Sequence, residues 1–209
     1  MRKILGIGFI VLGLACLLTA LGFVVYNRQE DQNGGKTSDE LLQNIQQQIS
    51  EAPDAEPETT PDGVAAPRDM LTVPAGDYES IGVLSIPVLE LELPVLKDWS
   101  YKKLKKAPCH YYGTCYEPNF VIAAHNYKSH FGRLSQLQAG DLVVFTDVTG
   151  EAYYYEVVLL ETLPPVATEE MITSGFDLSL YTCTPGGGSR VTVRCRTLES
   201  AAAQALLHE

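Results

Sequence analysis

From Ile4 to Tyr26 the chain carries no charged side chain and is built from Ile, Leu, Val, Gly, Ala and Phe. That run slightly exceeds the ~20 residues needed to cross the hydrocarbon core of a bilayer. Arg2 and Lys3 precede it, and Arg28 is soon followed by Glu30 and Asp31. The basic end is the one retained in the cytoplasm, so everything after Tyr26 is expected outside the cell. A cleavable signal peptide would have a shorter apolar core and a clear small-x-small site. Thr19-Ala20-Leu21-Gly22 offers only a weak one, and Cys16 lies too deep in the run for a lipid-modified terminus. The expected topology is a single-pass signal anchor over residues 1–27, with no second span.

After the anchor the composition turns to Gln, Glu, Asp, Pro, Thr and Gly. Such a stretch cannot bury enough apolar surface to offset its ordering entropy, so residues 28–77 read as an extracellular stalk. Thr37 and Glu40 suggest a capping box, and Leu41, Leu42, Ile45 and Ile49 recur at helical spacing. A helix that short is marginal alone, so the expectation is a weak amphipathic turn. The Pro-containing stretch Ala52–Pro67 reads as a spacer.

From Tyr78 the pattern changes to short β segments at Ile81–Pro87, Leu91–Leu96, Phe120–His125, Leu142–Thr146, Ala152–Leu160, Leu178–Cys183 and Arg190–Arg196, punctuated by Gly, Pro and Asp. Short helices are expected at Gly132–Gln138 and at Thr168–Gly175, the second with Thr168 as its cap. Many short strands over residues 78–199 predict an all-β domain, a small closed barrel or sandwich, followed by a tail at 200–209. The formal net charge of −11 argues against a nucleic-acid binder, which needs a basic surface.

The last two strands flank the loop Thr184–Ser189, which contains Pro185 and three consecutive glycines. Symmetric pairing about that loop sets Cys183 opposite Arg190, with Cβ atoms ~5 Å apart. Ser179, Tyr181, Cys183, Arg190, Thr192 and Arg194 then share a polar face. Leu178, Leu180, Thr182, Val191, Val193 and Cys195 face the core. A guanidinium beside a thiol favours the thiolate. Arg194, four residues along the strand, is ~13 Å away at the usual rise and is too far to act at Cys183.

A nucleophilic cysteine needs a proton-transfer partner, most often histidine. His125 ends an apolar strand, where a barrel presents side chains at its rim. His130 in the following loop is the second choice, and His110 beside Cys109 and His208 in the tail are weaker. Cys109 and Cys115 flank a loop and are expected as a disulfide or as free thiols, since the cluster supplies too few ligands for zinc.

These residues also carry a family resemblance. Leu180-Tyr181-Thr182-Cys183-Thr184-Pro185 followed by Arg190-Val191-Thr192-Val193 resembles the nucleophile signature of the sortases. Val121–Asp141 resembles their histidine segment, and Ile81–Val95 their opening strands. The resemblance implies a closed eight-stranded β-barrel, with Cys183 as nucleophile, His125 as acid/base and Arg190 as oxyanion and substrate-binding residue. Thr182, Thr184 and Ala124, which flank the nucleophile and the histidine, are the expected substrate-binding positions. The resemblance implies transpeptidation without a cofactor, and no residues here mark a calcium site, so no metal is expected. The donor would be a secreted protein with a C-terminal Leu-Pro-x-Thr-Gly-like sorting signal, and the acceptor an amine of a cell-wall precursor or pilin. A cysteine peptidase hydrolysing the same intermediate and a non-catalytic peptide-binding barrel are the alternatives.

Overall fold

A computed structural model describes residues 2–51, 69–200 and 202–203. The spacer at 52–67 and most of the tail fall outside them. The chain falls into two compact units, Met1–Asn33 and Gly34–Glu209. Helix α1 spans Arg2–Glu51 and contributes to both. From Ile7 to Tyr26 its apolar side chains are exposed on every face. A helix that is apolar all round and long enough to cross a bilayer has no aqueous face to present.

In the second unit α1 is more than a weak turn. Thr37 and Glu40 lie inside the helix instead of capping it. Leu41 and Ile45 are buried in a cluster with Ala75, Val83, Leu96, Ala107 and Cys109, and Leu42 and Ile49 pack against it. The expectation of a stalk fails here for a physical reason. A short amphipathic helix is marginal alone but is stabilised once a sheet covers its apolar stripe.

The rest of this unit is a strand system: β1 (Val73–Ala75), β2 (Tyr78–Ile86), β3 (Leu91–Leu96), β4 (Cys109–Tyr112), β5 (Phe120–Ala123), β6 (Leu142–Asp147), β7 (Ala152–Leu163), β8 (Leu178–Cys183) and β9 (Arg190–Thr197). Their order is β1-β2-β3-β4-β5-β8-β9-β7-β6, and β2 also pairs with β6. That last pairing closes eight strands, β2 to β9, into a mixed barrel, with β1 as an added edge partner of β2. Gly82, at φ +150° in a bulge of β2, marks the closure. A Cβ there would lie 2.1 Å from the Thr146 carbonyl oxygen of β6, so only glycine permits the approach. Phe120, Ile122, Phe131, Phe145, Leu180 and Val193 are among the buried side chains filling the interior.

Helices are few and short. Helix α2 (Tyr101–Leu104) is capped by Ser100, whose side chain accepts from Lys103 N. Helix α3 (Thr168–Ile172) begins one residue earlier than expected. Its N-cap is Ala167, which has no side-chain cap bond, and Thr168 is the first helical residue. At Gly132–Gln138 only a 3-10 turn forms, over Leu134–Gln136.

Candidate active site

Strands β5, β8 and β9 are neighbours in the barrel. Because β5 and β8 run parallel, their C-terminal ends reach the same rim, and antiparallel β9 starts there. The β8–β9 ladder pairs Cys183 with Arg190, the register inferred from the loop length. The parallel ladder pairs Ala123 with Tyr181, and Ala124 N donates to the Tyr181 carbonyl at 3.1 Å. Continued by two residues, that register sets His125 on the strand position beside Cys183, where neighbouring strands are ~4.8 Å apart. Sequence alone could not supply this step, because which strand ends are neighbours is a property of the topology.

The three side chains are held from different directions. Cys183, His125 and Arg190 are all half-buried. His125 Nδ1 pairs with Asn126 Oδ1 at 2.9 Å. Its ring stacks on Tyr127, with centroids 4.1 Å apart and planes inclined by 13°. Arg190 Nη1 donates to the carbonyls of Gly187 at 3.2 Å and Ser189 at 3.1 Å. Among the described residues no carboxylate is within ion-pair distance of Arg190. Arg190 also lines the groove that opens at Cys183.

Thr182 is buried and donates to the Ala124 carbonyl at 2.9 Å, joining β8 to β5 directly behind Cys183 and His125. Thr184 spans its own loop, where Ser189 N donates to Thr184 Oγ1 at 3.1 Å. Ala124 lines the groove that opens at Cys183. That groove has a volume of about 180 Å³, and its walls include Trp99, Tyr101, Tyr111, Met171, Tyr181 and Arg190. The aromatic wall runs from exposed Tyr101 through Trp99 and Tyr111 to Tyr181, with successive ring centroids 5.4–5.7 Å apart. Sequence reading missed this wall and β4, which carries Tyr111. Strand β4 is four residues long and bulged, too short to show alternation. Burial pushes the Tyr181 hydroxyl upward, so it stays protonated beside the thiol.

His110, His130, Cys109, Cys115 and Cys195 lie elsewhere in the barrel unit, and His208 falls outside the described residues. His130 is fully buried, its ring 5.5 Å from that of Tyr127. Both ring nitrogens of His110 face carbonyl oxygens, Lys97 at 3.0 Å and Gly113 at 2.7 Å. Cys109 and Cys115 are free thiols, and burial pushes each up to about 12. Burial raises Cys195 as well. These three thiols stay protonated at neutral pH, whereas Cys183 opens to the groove. Among the described residues no three His, Cys, Asp or Glu side chains converge in a way that would hold a metal ion.

Comparison with known proteins gives the fold and site a context. A family model described as "Sortase domain" matches residues 84–198. The sortase C1 structure from Streptococcus suis is 27% identical, with a TM-score of 0.53 over 60% of this chain and 76% of that one. Sortase C1 from Streptococcus agalactiae is 25% identical, with a TM-score of 0.52 over 58% and 68%. Sortase A from Corynebacterium diphtheriae, 19% identical with a TM-score of 0.53 over 87% and 96%, shares the fold. No curated protein matches the sequence.

Proposed function

The chain belongs to the sortase family of cysteine transpeptidases, and on that premise we propose that Cys183, His125 and Arg190 are its catalytic residues. The Cys183 thiolate attacks the backbone carbonyl carbon of a Leu-Pro-x-Thr-Gly-like sorting signal, forming a C–S bond and a tetrahedral oxyanion. Arg190 stabilises that oxyanion. His125 gives its proton to the departing amine as the C–N bond breaks, leaving a thioacyl-enzyme. An incoming amine attacks the thioester and yields its proton to His125. The new amide forms, and the C–S bond breaks to regenerate the thiolate. Asn126 accepting from His125 Nδ1 fixes the tautomer, so Nε2 is the nitrogen that exchanges the proton. Ala124 lines the substrate groove; Thr182 and Thr184 act on substrate through the backbone they position.

The observation that carries this reading is the meeting of three strand ends, with Cys183 paired to Arg190 and the end of β5 alongside. The apolar half of α1 supports a single-pass anchor with the N-terminus inside and the barrel outside. The acceptor is then an amine of a wall precursor or pilin at the outer face. The aromatic wall at Cys183 suits the apolar part of such a signal.

The test is intact mass of the full chain in detergent micelles, mixed with Leu-Pro-x-Thr-Gly-like peptides and an amine acceptor. A thioacyl adduct that passes to the amine and is absent in Cys183→Ala is the expected result. Resolution by water alone would make the protein a peptidase. Peptide binding with no adduct at Cys183 would make it a binding module.

A further inference from the structure

Two consecutive glycines, Gly34 and Gly35, lie well inside α1. Glycine is disfavoured there relative to alanine, because it gives up more backbone freedom and packs no side chain. The second unit explains their presence. A Cβ on Gly34 would lie 2.9 Å from Tyr127 Cδ2 and 3.1 Å from the Lys105 carbonyl oxygen. One on Gly35 would lie 3.0 Å from Ser129 Cβ. The helix backbone is therefore pressed against the loop that directly follows His125.

That loop has little room to yield. The Tyr127 carbonyl accepts from His130 N at 3.0 Å and from Gly132 N at 2.8 Å, and Phe131 N donates to the His125 carbonyl at 3.2 Å. Gly132 is itself closed in, since a Cβ there would meet the Asn126 carbonyl oxygen at 2.5 Å. His130 and Phe131 are fully buried behind it. With its backbone pinned, Tyr127 is backed by Gly34 on one side and presents its ring face to His125. An aromatic face stacked at that distance fixes the plane of the imidazole.

We propose that Tyr127 is the positioning residue for His125, and that the Gly34–Gly35 pair of α1 is the seat that holds Tyr127 in place. The juxtamembrane part of α1 is then a component of the catalytic apparatus as well as a tether. The inference rests on His125 being the acid/base, and it acts on proton transfer instead of peptide binding. An alanine at Gly34 favours the helix locally but forces the Tyr127 ring to shift, so the rate and the His125 resonance should change together.

The experiment uses the full chain in detergent micelles. It follows thioacyl formation on Cys183 and, separately, the NMR resonance of ¹³C-labelled His125. Gly34→Ala and Tyr127→Ala are expected to lower kcat for acylation about tenfold with KM within about twofold, in keeping with the sensitivity of such steps to small misplacements. Tyr127→Phe, which keeps the stack, should restore the rate lost in Tyr127→Ala. Adding Gly34→Ala to Tyr127→Ala should cost nothing more, since the two act through one ring. Gly34→Ala should also move the His125 resonance in the direction that Tyr127→Ala moves it. The proposal is overturned if Gly34→Ala leaves kcat and the resonance at wild-type values, if Tyr127→Phe is as slow as Tyr127→Ala, or if the loss is confined to KM. A wild-type chain that never acylates would count against the catalytic reading alone. The His125 resonance in the two alanine variants would still decide whether the glycine seat controls the ring.

Discussion

Arg190 and Arg194 sit four residues apart on one face of β9, and the barrel treats them in opposite ways. Arg194 is 1% exposed. Its Nε pairs with Glu161 Oε1 at 2.7 Å, one Nη1 bond goes to Ser179 Oγ at 2.8 Å, and Nη2 reaches the Glu170 carbonyl at 2.8 Å. A weaker contact from Nη1 reaches the Met171 carbonyl at 3.4 Å. Those carbonyls belong to the last turn of α3, where a cation is favoured by unsatisfied C=O groups. Arg194 thereby ties α3 to the barrel, and α3 supplies Met171 to the groove. Arg190, at the rim, is hydrogen-bonded among the described residues to two backbone carbonyls of its own loop. Identical side chains on one strand are thus divided by what covers them. Under a helix, the arginine is consumed by structure; at the rim, Arg190 lines the groove beside Cys183.

The sharpest way to break this contrast is to remove each arginine in turn and read rate and stability together. Arg190→Ala should lower the rate of Cys183 acylation about 10³-fold, equivalent to ~4 kcal/mol of transition-state stabilisation. Its midpoint of thermal unfolding should stay within about 2 °C, because few folded-state bonds are lost. A large loss of Tm with an unchanged rate per folded molecule would reverse the assignment of the two roles.

Arg194→Ala should behave in the converse manner. It removes a buried cation and leaves Ser179 and the α3 carbonyls without their donor, a change that costs about 3 kcal/mol. The lower end of the range for broken buried pairs applies because Glu161, with its side chain 31% exposed, can turn to water. Denaturant unfolding should show the loss directly. The surviving folded fraction should keep acylation chemistry, with a weaker KM from a loosened α3. A stability unchanged by this substitution would mean that the Arg194 network contributes only geometry.

The two arginines also mark how far sequence could reach. The Cys183–Arg190 pairing was legible because a Pro- and Gly-rich loop fixes hairpin register and alternation fixes the face. The assignment of the Arg194 face as polar was legible too, but its burial was not, since nothing in β9 reveals that α3 will lie over it. His125 ranked above His130 by its place at a strand end, yet only the parallel β5–β8 pairing brings it next to Cys183. Local periodicity gives Leu41 and Ile45 only a marginal turn, because their stabilisation comes from β1, β2 and β3, a long-range gain that local rules do not record. Local rules carried the strands and the hairpin. Contacts between distant segments carried the rest.

Ser179→Ala gives the finest resolution of the contrast. Ser179 is buried on β8, faces Arg194 across the ladder, and accepts the 2.8 Å bond from Nη1. Removing the hydroxyl deletes one bond to a charged group but leaves Arg194 bonded to Glu161 and the Glu170 carbonyl. The expected cost is about 1.5 kcal/mol, a fall of about 3–6 °C in Tm, with the acylation rate at saturating peptide unchanged. Combined with Arg194→Ala the serine change should add almost nothing, because the bond it removes is already gone. Full additivity would mean that Ser179 stabilises the barrel through something other than Arg194. The account of Arg194 as the link between β8, β9 and α3 would then lose one of its three strands of support.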